Sequence, residues 1–193
     1  NTMTAVVAIC KAASMISGLD VVVSFRTTHY ASGSMGGDKW TNTMTAVVAI
    51  CKAASMISGL DVVVSFRTTH YASGRNGQPL VAIGFDSRVD KFRKIENIWP
   101  SLHPGGTTPE GLCYEAIMKD FVGGTNNRDS YFLNFSDGQP MFSGDGFRYY
   151  NDEALQHTKR QVKKIAQKGI SIMSYFIGDG DYGRDRTMED FKT

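Results

Sequence analysis

Residues 1–33 read NTMTAVVAICKAASMISGLDVVVSFRTTHYASG, and residues 42–74 repeat them letter for letter. No other feature limits the fold as much. Repeat architectures share a pattern and vary at surface positions, and they need at least three units to bury a continuous core. Two identical copies, exposed positions included, are therefore not a solenoid. They read as a recent duplication or template switch. The first copy runs from YASG into SMGGDKW and the second from YASG into RNGQPL, so the two contexts share Ser-Gly at the crossover. With the block counted once, about 150 residues remain, an ordinary size for one domain. The expected organisation is a duplicated helix–strand segment over 1–33, followed by the domain proper over 34–193.

Composition excludes several classes. Of 193 residues, 41% are apolar and only 5 are Pro, which is globular and not disordered. The formal charge of +2, from 21 basic and 19 acidic residues, gives no reason to expect nucleic acid or an anionic membrane as partner. No apolar run approaches the ~18 residues of a membrane span. The apolar N-terminal stretch has Lys11 inside it and no basic residue before it, so it reads as an amphipathic helix and not a signal peptide. Cys10 and Cys51 are one cysteine present twice, Cys113 is the third, and all fall at helical apolar positions. Core thiols in a reducing cytoplasm are the expectation.

Periodicity supplies the elements. A helix is predicted over 40–58, capped at Thr41 or Asn42 and stopped by Gly59. Residues 61–66 (DVVVSF) are a β-branched strand, 67–79 a turn-rich run, and 80–85 a second strand, giving a hairpin. A short helix falls within 86–99. Another opens at Thr108-Pro109-Glu110 and runs to about Phe121. Residues 131–135 form a strand, 151–168 a helix stopped by Gly169, and 170–177 a buried strand. Strands alternating with helices predict a doubly wound, three-layer α/β/α fold with a mostly parallel sheet and one antiparallel edge strand. In such folds ligands bind beyond the carboxyl ends of the strands.

Three polar loops precede helices: Ser32-Gly33-Ser34, Gly105-Gly106-Thr107-Thr108, and Ser136-Asp137-Gly138. Their hydroxyls and carboxylate are hard oxygen donors suited to Mg²⁺. In order and spacing they resemble the metal-ion-dependent adhesion site of the von Willebrand factor A (VWA) family, Asp-x-Ser-x-Ser, then Thr, then Asp-Gly. The resemblance implies a VWA fold and a site for Mg²⁺, or Mn²⁺ or Ca²⁺, on Ser32, Ser34, Thr107 (Thr108 in the alternative register) and Asp137. The family's first Asp falls on Tyr30, which is neutral at pH 7. Asp38 and Asp86 are the carboxylates available to replace it.

A narrower resemblance joins FLNFSDGQP (132–140), Tyr149-Tyr150, HTKRQV (157–162), Gly169-Ile170 and SYFI (174–177) to the VWA domain of the cobalt chelatase T subunit, a type that phage genomes also carry. It implies a coupling module of cobalamin biosynthesis, partnered by an AAA+ ATPase and a large chelatase subunit. It also implies that the chain stops before the family's last strand. No phosphate-binding Gly-x-x-x-x-Gly-Lys-Ser/Thr loop occurs, so the chain itself is not expected to hydrolyse ATP or act as an enzyme. Three readings stand: a metal-bridged protein-interaction domain, a metal-independent one, and a non-catalytic chelatase subunit. His157, beside Lys159, Arg160, Lys163 and Lys164, reads as part of a solvated helix face.

Two identical helix–strand units are expected to compete for one place in the sheet, and the second copy, with its hairpin partner downstream, is expected to win. The strand of the first copy can fill the central slot with Val21–Val23 and Phe25, but the Arg26-Thr27-Thr28-His29 run behind it suits a two-sided buried strand poorly. A strained or shifted strand, or a swap between chains, is predicted.

Overall fold

The computed structural model describes residues 19–26, 37–70, 77–103, 107, 109–118, 129–136, 140–144 and 147–176, with backbone only for 19–26, His70 and Phe176. The first element is β1 (Leu19–Arg26). Helix α1 (Asp38–Ala54) follows and buries Trp40, Met44, Val47, Ile50 and Cys51, the three-and-four spacing of one helical face. It starts at Asp38, earlier than predicted. Thr41 and Thr45 send their hydroxyls back to the carbonyls of Gly37 and Thr41 and do not cap. The helix also ends earlier, at Ala54, and not at the predicted Gly59, which at φ 83 instead leads the chain into the next strand, a conformation glycine adopts without Cβ strain.

Strand β2 (Leu60–His70) is longer than predicted. Residues 67–70, read as turn, stay in the strand because β3 (Gln78–Asp86) pairs with them antiparallel out to His70↔Gln78. The ladder slips between Val64 and Ser65, leaving Gly84 as the extra residue of a bulge. A Cβ there would run into the Phe66 ring. Helix α2 (Arg93–Ile98) and a 3₁₀ turn (Trp99–Ser101) lead to Leu102, whose carbonyl accepts the Trp40 indole N–H at 3.0 Å.

Helix α3 (Glu110–Ile117) precedes β4 (Asp129–Ser136). A small hairpin, β5 (Phe142–Gly144) and β6 (Phe147–Tyr149), was not foreseen; three-residue strands leave no readable alternation. Helix α4 (Asn151–Gln167) ends at Gly169, φ 77, as predicted. Its expected cap, Asn151, is instead the first helical residue, at φ 52, a left-handed conformation that Asn tolerates. Strand β7 (Ile170–Phe176) closes the described chain.

The sheet order is β3-β2-β1-β4-β7, parallel except for β3. The α/β architecture with one antiparallel edge strand is as predicted. One face carries α1 and α2 over Val62, Val64, Phe66, Leu133 and Phe135. The other carries α3 and α4, with Tyr114, Ile117 and Ile165 packed on Phe132 and Ile170. Each fully buried apolar side chain contributes about 1.5–3 kcal/mol.

Two expectations change. The strand of the first copy is neither shifted nor broken over Leu19–Arg26. It lies centrally, parallel to β2 on one side and β4 on the other. Its partner β2 is its own duplicate, and the register sets every residue beside its copy, from Leu19↔Leu60 to Arg26↔Arg67. The copies do not compete, because a β-branched strand suits both a slot between two parallel neighbours and the slot next to an antiparallel edge. Strand β7, expected to be buried, is so only at Ile170 among its described side chains. Among the described residues it pairs only with β4, and Ser171, Met173 and Ser174 are exposed.

Candidate functional site

The four parallel strands point the same way, so Arg26, His70, Ser136 and Phe176 end at one edge of the sheet. Of the four predicted metal ligands, Thr107 is described. Its hydroxyl lies 2.7 Å from that of Thr69, one residue before the end of β2. Asp137 follows directly on Ser136, which is fully buried at the end of β4. Ser32, Ser34 and Asp137 themselves lie outside the described residues, as do Tyr30 and Thr108. Strand direction therefore brings the Thr107 loop and the start of the Asp137 loop to the same edge. The Ser32–Ser34 loop connects the end of β1 to α1.

Asp86 does not serve as the replacement carboxylate. It pairs with Val63, near the start of β2, about 20 Å along the strand from Thr69 at 3.3 Å per residue. Arg88 also binds both of its oxygens, at 2.8 and 2.6 Å. Those hydrogen bonds hold its pKa below the usual carboxylate value. Asp38 stands in the first turn of α1, four residues after Ser34 in the sequence.

Beneath the Thr107 loop lies a buried polar network that the sequence did not disclose. Arg67 is fully buried. Its Nη1 donates to Asn134 Oδ1 at 2.8 Å, and its Nη2 reaches Glu110 Oε1 and the Phe135 carbonyl, each at 3.4 Å. Glu110 Oε1 also accepts the Tyr114 hydroxyl at 2.7 Å and the Asn134 amide at 2.9 Å. The guanidinium lies 5.2 Å from the centre of the Tyr114 ring. Only 3% of Glu110 and 2% of Asn134 is exposed, so these bonds act in a low-dielectric setting. Burial pushes the Tyr114 hydroxyl pKa well up, and neighbouring Glu110 adds to the shift. Burial opposes the charge on Arg67, but the groups packed around it, Glu110 among them, outweigh that and raise its pKa. One signal was available in the sequence: an arginine next to a β-branched run, with the only acidic residue of the GGTTPEG loop to answer it.

A second polar cluster joins α3 to α4. Tyr149 Oη lies 3.1 Å from His157 Nδ1 and 3.1 Å from Thr158 Oγ1, and donates to the Ala154 carbonyl. His157 Nε2 is 2.9 Å from Gln161 Nε2 and 3.6 Å from Glu115 Oε2. His157 is thus no solvated residue. Its side chain is 16% exposed, and burial lowers its pKa against the pull of Glu115. Gly111 lets the helices meet, since a Cβ there would strike the Tyr149 hydroxyl and Thr158. Cys51 and Cys113 are free and buried, and burial pushes both thiols up to about 12, which makes them unreactive. Cys10 lies outside the described residues.

The donor set suits a hard divalent cation. Thr107 and Thr69 bring adjacent hydroxyl oxygens, which are hard donors, to the edge. Among the described residues no group of three His, Cys, Asp or Glu side chains is placed to hold a metal ion.

No protein-family model matches the chain, and no curated protein matches it. Solved structures do. The pilus adhesin SpaC from Lactobacillus rhamnosus GG matches 91% of this chain over 27% of its own length, at TM-score 0.61 and 14% identity. The manganese-loaded Plasmodium vivax TRAP protein matches 87% over 60% of its own, at 0.53 and 15%. The PilB minor pilin from Streptococcus sanguinis matches 86% over 58%, at 0.52 and 12%. The chain thus spans less than two thirds of each. At these identities the likeness is one of fold, the mostly parallel α/β/α architecture. No described helix is long and apolar enough to cross a membrane.

Proposed function

We propose that this chain is a protein-interaction module of VWA type whose binding surface is the carboxyl edge of the sheet, built around a Mg²⁺ or Mn²⁺ site on Ser32, Ser34, Thr107 and Asp137. The observation that carries the reading is the meeting of Thr107 with Thr69 at the edge where β4 delivers Ser136 and hence Asp137. A bound cation would supply a positive, oxygen-seeking centre for a carboxylate on a partner protein. The chain's own residues do the rest. The loops present oxygens, Asp137 contributes the one anionic ligand, and Tyr30 withholds a second. One protein of like fold was crystallised loaded with manganese, which makes Mn²⁺ a suitable probe.

The finer reading is a non-catalytic subunit of a cobalt chelatase-like complex that couples an AAA+ ATPase to the large subunit inserting metal into a tetrapyrrole. It rests on the 132–140 and 157–177 motifs. The buried free thiols support a reducing compartment, hence the cytoplasm. A metal-independent interaction domain is favoured instead by Tyr30.

Calorimetric titration of Mg²⁺ into the chain and into Tyr30→Asp tests the site. Binding by Tyr30→Asp that Asp137→Ala abolishes is the expected result. Binding that survives Asp137→Ala overturns the ligand assignment. Tetrapyrrole metallation that proceeds equally well without this chain, in a mixture of the ATPase and the large subunit, refutes the chelatase role.

A further inference from the structure

Arg67, Glu110 and Asn134 come from three different elements, and each lies close in sequence to a part of the candidate edge. Arg67 is two residues before Thr69, whose hydroxyl meets Thr107. Glu110 is three residues after Thr107 and opens α3. Asn134 is three residues before Asp137, and the carbonyl that Arg67 reaches belongs to Phe135, two before it. The network therefore fastens the end of β2, the Thr107 loop and the end of β4 to one another from below. Glu110 Oε1 collects three donors, one from each of β2, α3 and β4. A helix of eight residues has few other means of fixing its entry, and no side chain caps α3.

We propose that the buried Arg67–Glu110–Asn134 network positions the candidate metal site. It sets Thr107 and the start of α3 against the end of β4, and the two charges hold that spacing. The inference rests on the metal-site reading above and assigns that site its supporting residues. None of the three touches the cation. Arg67 acts through Glu110 on the Thr107 side and through Asn134 and the Phe135 carbonyl on the Asp137 side. Outer partners that orient ligands in this way are worth about 10- to 100-fold in metal affinity.

The test separates positioning from folding. Arg67→Met alone strands the Glu110 carboxylate and is expected to lower Tm. The double variant Arg67→Met/Glu110→Gln removes both charges and keeps an acceptor for Tyr114 and Asn134, so its Tm is expected to return toward that of the parent, since neutral replacement of a buried pair is often tolerated. In the Tyr30→Asp background its Mn²⁺ affinity is nevertheless expected to stay about 10- to 100-fold weaker. Amide hydrogen exchange over residues 107–114 is expected to quicken, with β2 unchanged over Leu60–Val64. A double variant that recovers Tm and also binds Mn²⁺ like its parent, with unchanged exchange over 107–114, shows a merely structural network and overturns the proposal. Where the double variant does not fold, amide exchange in Glu110→Gln decides: quickening over 107–114 with Leu60–Val64 unchanged supports the proposal, and equal quickening of both segments overturns it. Absence of Mn²⁺ binding in every background sinks the metal-site reading instead, and the exchange measurement still decides whether the network positions the loop.

Discussion

The two faces of the sheet are built by different chemistry. Under α1 and α2 the core is hydrocarbon, with Met44, Ala46, Val47 and Ile50 on the helix and Val62, Val64, Phe66, Leu133 and Phe135 on the strands. Under α3 the same strands bury Arg67 and Asn134 against Glu110 and Tyr114. Neighbouring positions on one strand thus face opposite requirements. Phe66 needs volume and Arg67 needs partners. On the first face many weak contacts share the stability. On the second a few directional bonds concentrate it, and the polar groups lie directly below the loops that carry the candidate site. The difference teaches where this molecule can be altered without consequence for its surface, and where it cannot.

Removing one charge from the polar face should have the largest effect. Glu110→Ala leaves the Arg67 guanidinium buried without its carboxylate, and equilibrium denaturation should show a loss of about 3–5 kcal/mol. Truncation on the hydrocarbon face should cost comparably at one site but add up simply. Met44→Ala, at a fully buried position, should lose about 2–5 kcal/mol. The contrast lies in coupling. Met44→Ala and Glu110→Ala, on opposite faces with no shared partner, should be additive within about 0.5 kcal/mol, whereas Arg67→Met and Glu110→Gln should couple by about 0.5–3 kcal/mol. Equal coupling in both pairs would erase the distinction between the faces.

The hydrocarbon face was legible in the sequence because its signal is local. The 44/47/51 spacing of α1 and the DVVVSF run report burial from neighbours along the chain. The polar face is not local. Arg67 answers to Glu110 and Asn134, 43 and 67 positions away, and no window over the sequence joins them. The same reason hid the full length of β2, whose Thr68–His70 segment is strand only because β3 returns beside it. The repeat misled for a further reason. Identity of two segments says nothing of whether they compete, and β1 and β2 lie side by side in register. Of the candidate site, motif order singled out Thr107, whereas the network of Arg67, Glu110 and Asn134 was not legible.

A smaller effect is expected where α3 meets α4. Gly111→Ala drives a Cβ into the Tyr149 hydroxyl and Thr158, and overpacking of this kind costs about 1–3 kcal/mol. Measured by thermal unfolding, a neutral substitution would show that the two helices can separate freely. The smallest effect is that of pH. His157 has a folded-state pKa below its ordinary value of 6.5. The folded state therefore binds fewer protons than the unfolded one, and stability rises with pH. The contribution is fully present above about pH 6.5 and is lost as pH falls through the lowered folded value. His157→Gln should flatten the stability profile between neutral and mildly acidic pH, and an unchanged profile would exclude this histidine as its source.

The central claim is that the carboxyl edge of the sheet, and not its opposite end, carries the binding chemistry. Paramagnetic line broadening by Mn²⁺ in amide spectra of the Tyr30→Asp chain tests this most directly. Broadening centred on Thr69, Thr107 and Ser136, with Val63 and Asp86 left sharp, is the predicted result. Broadening centred on Asp86 and Asp90, or none at all, would contradict it.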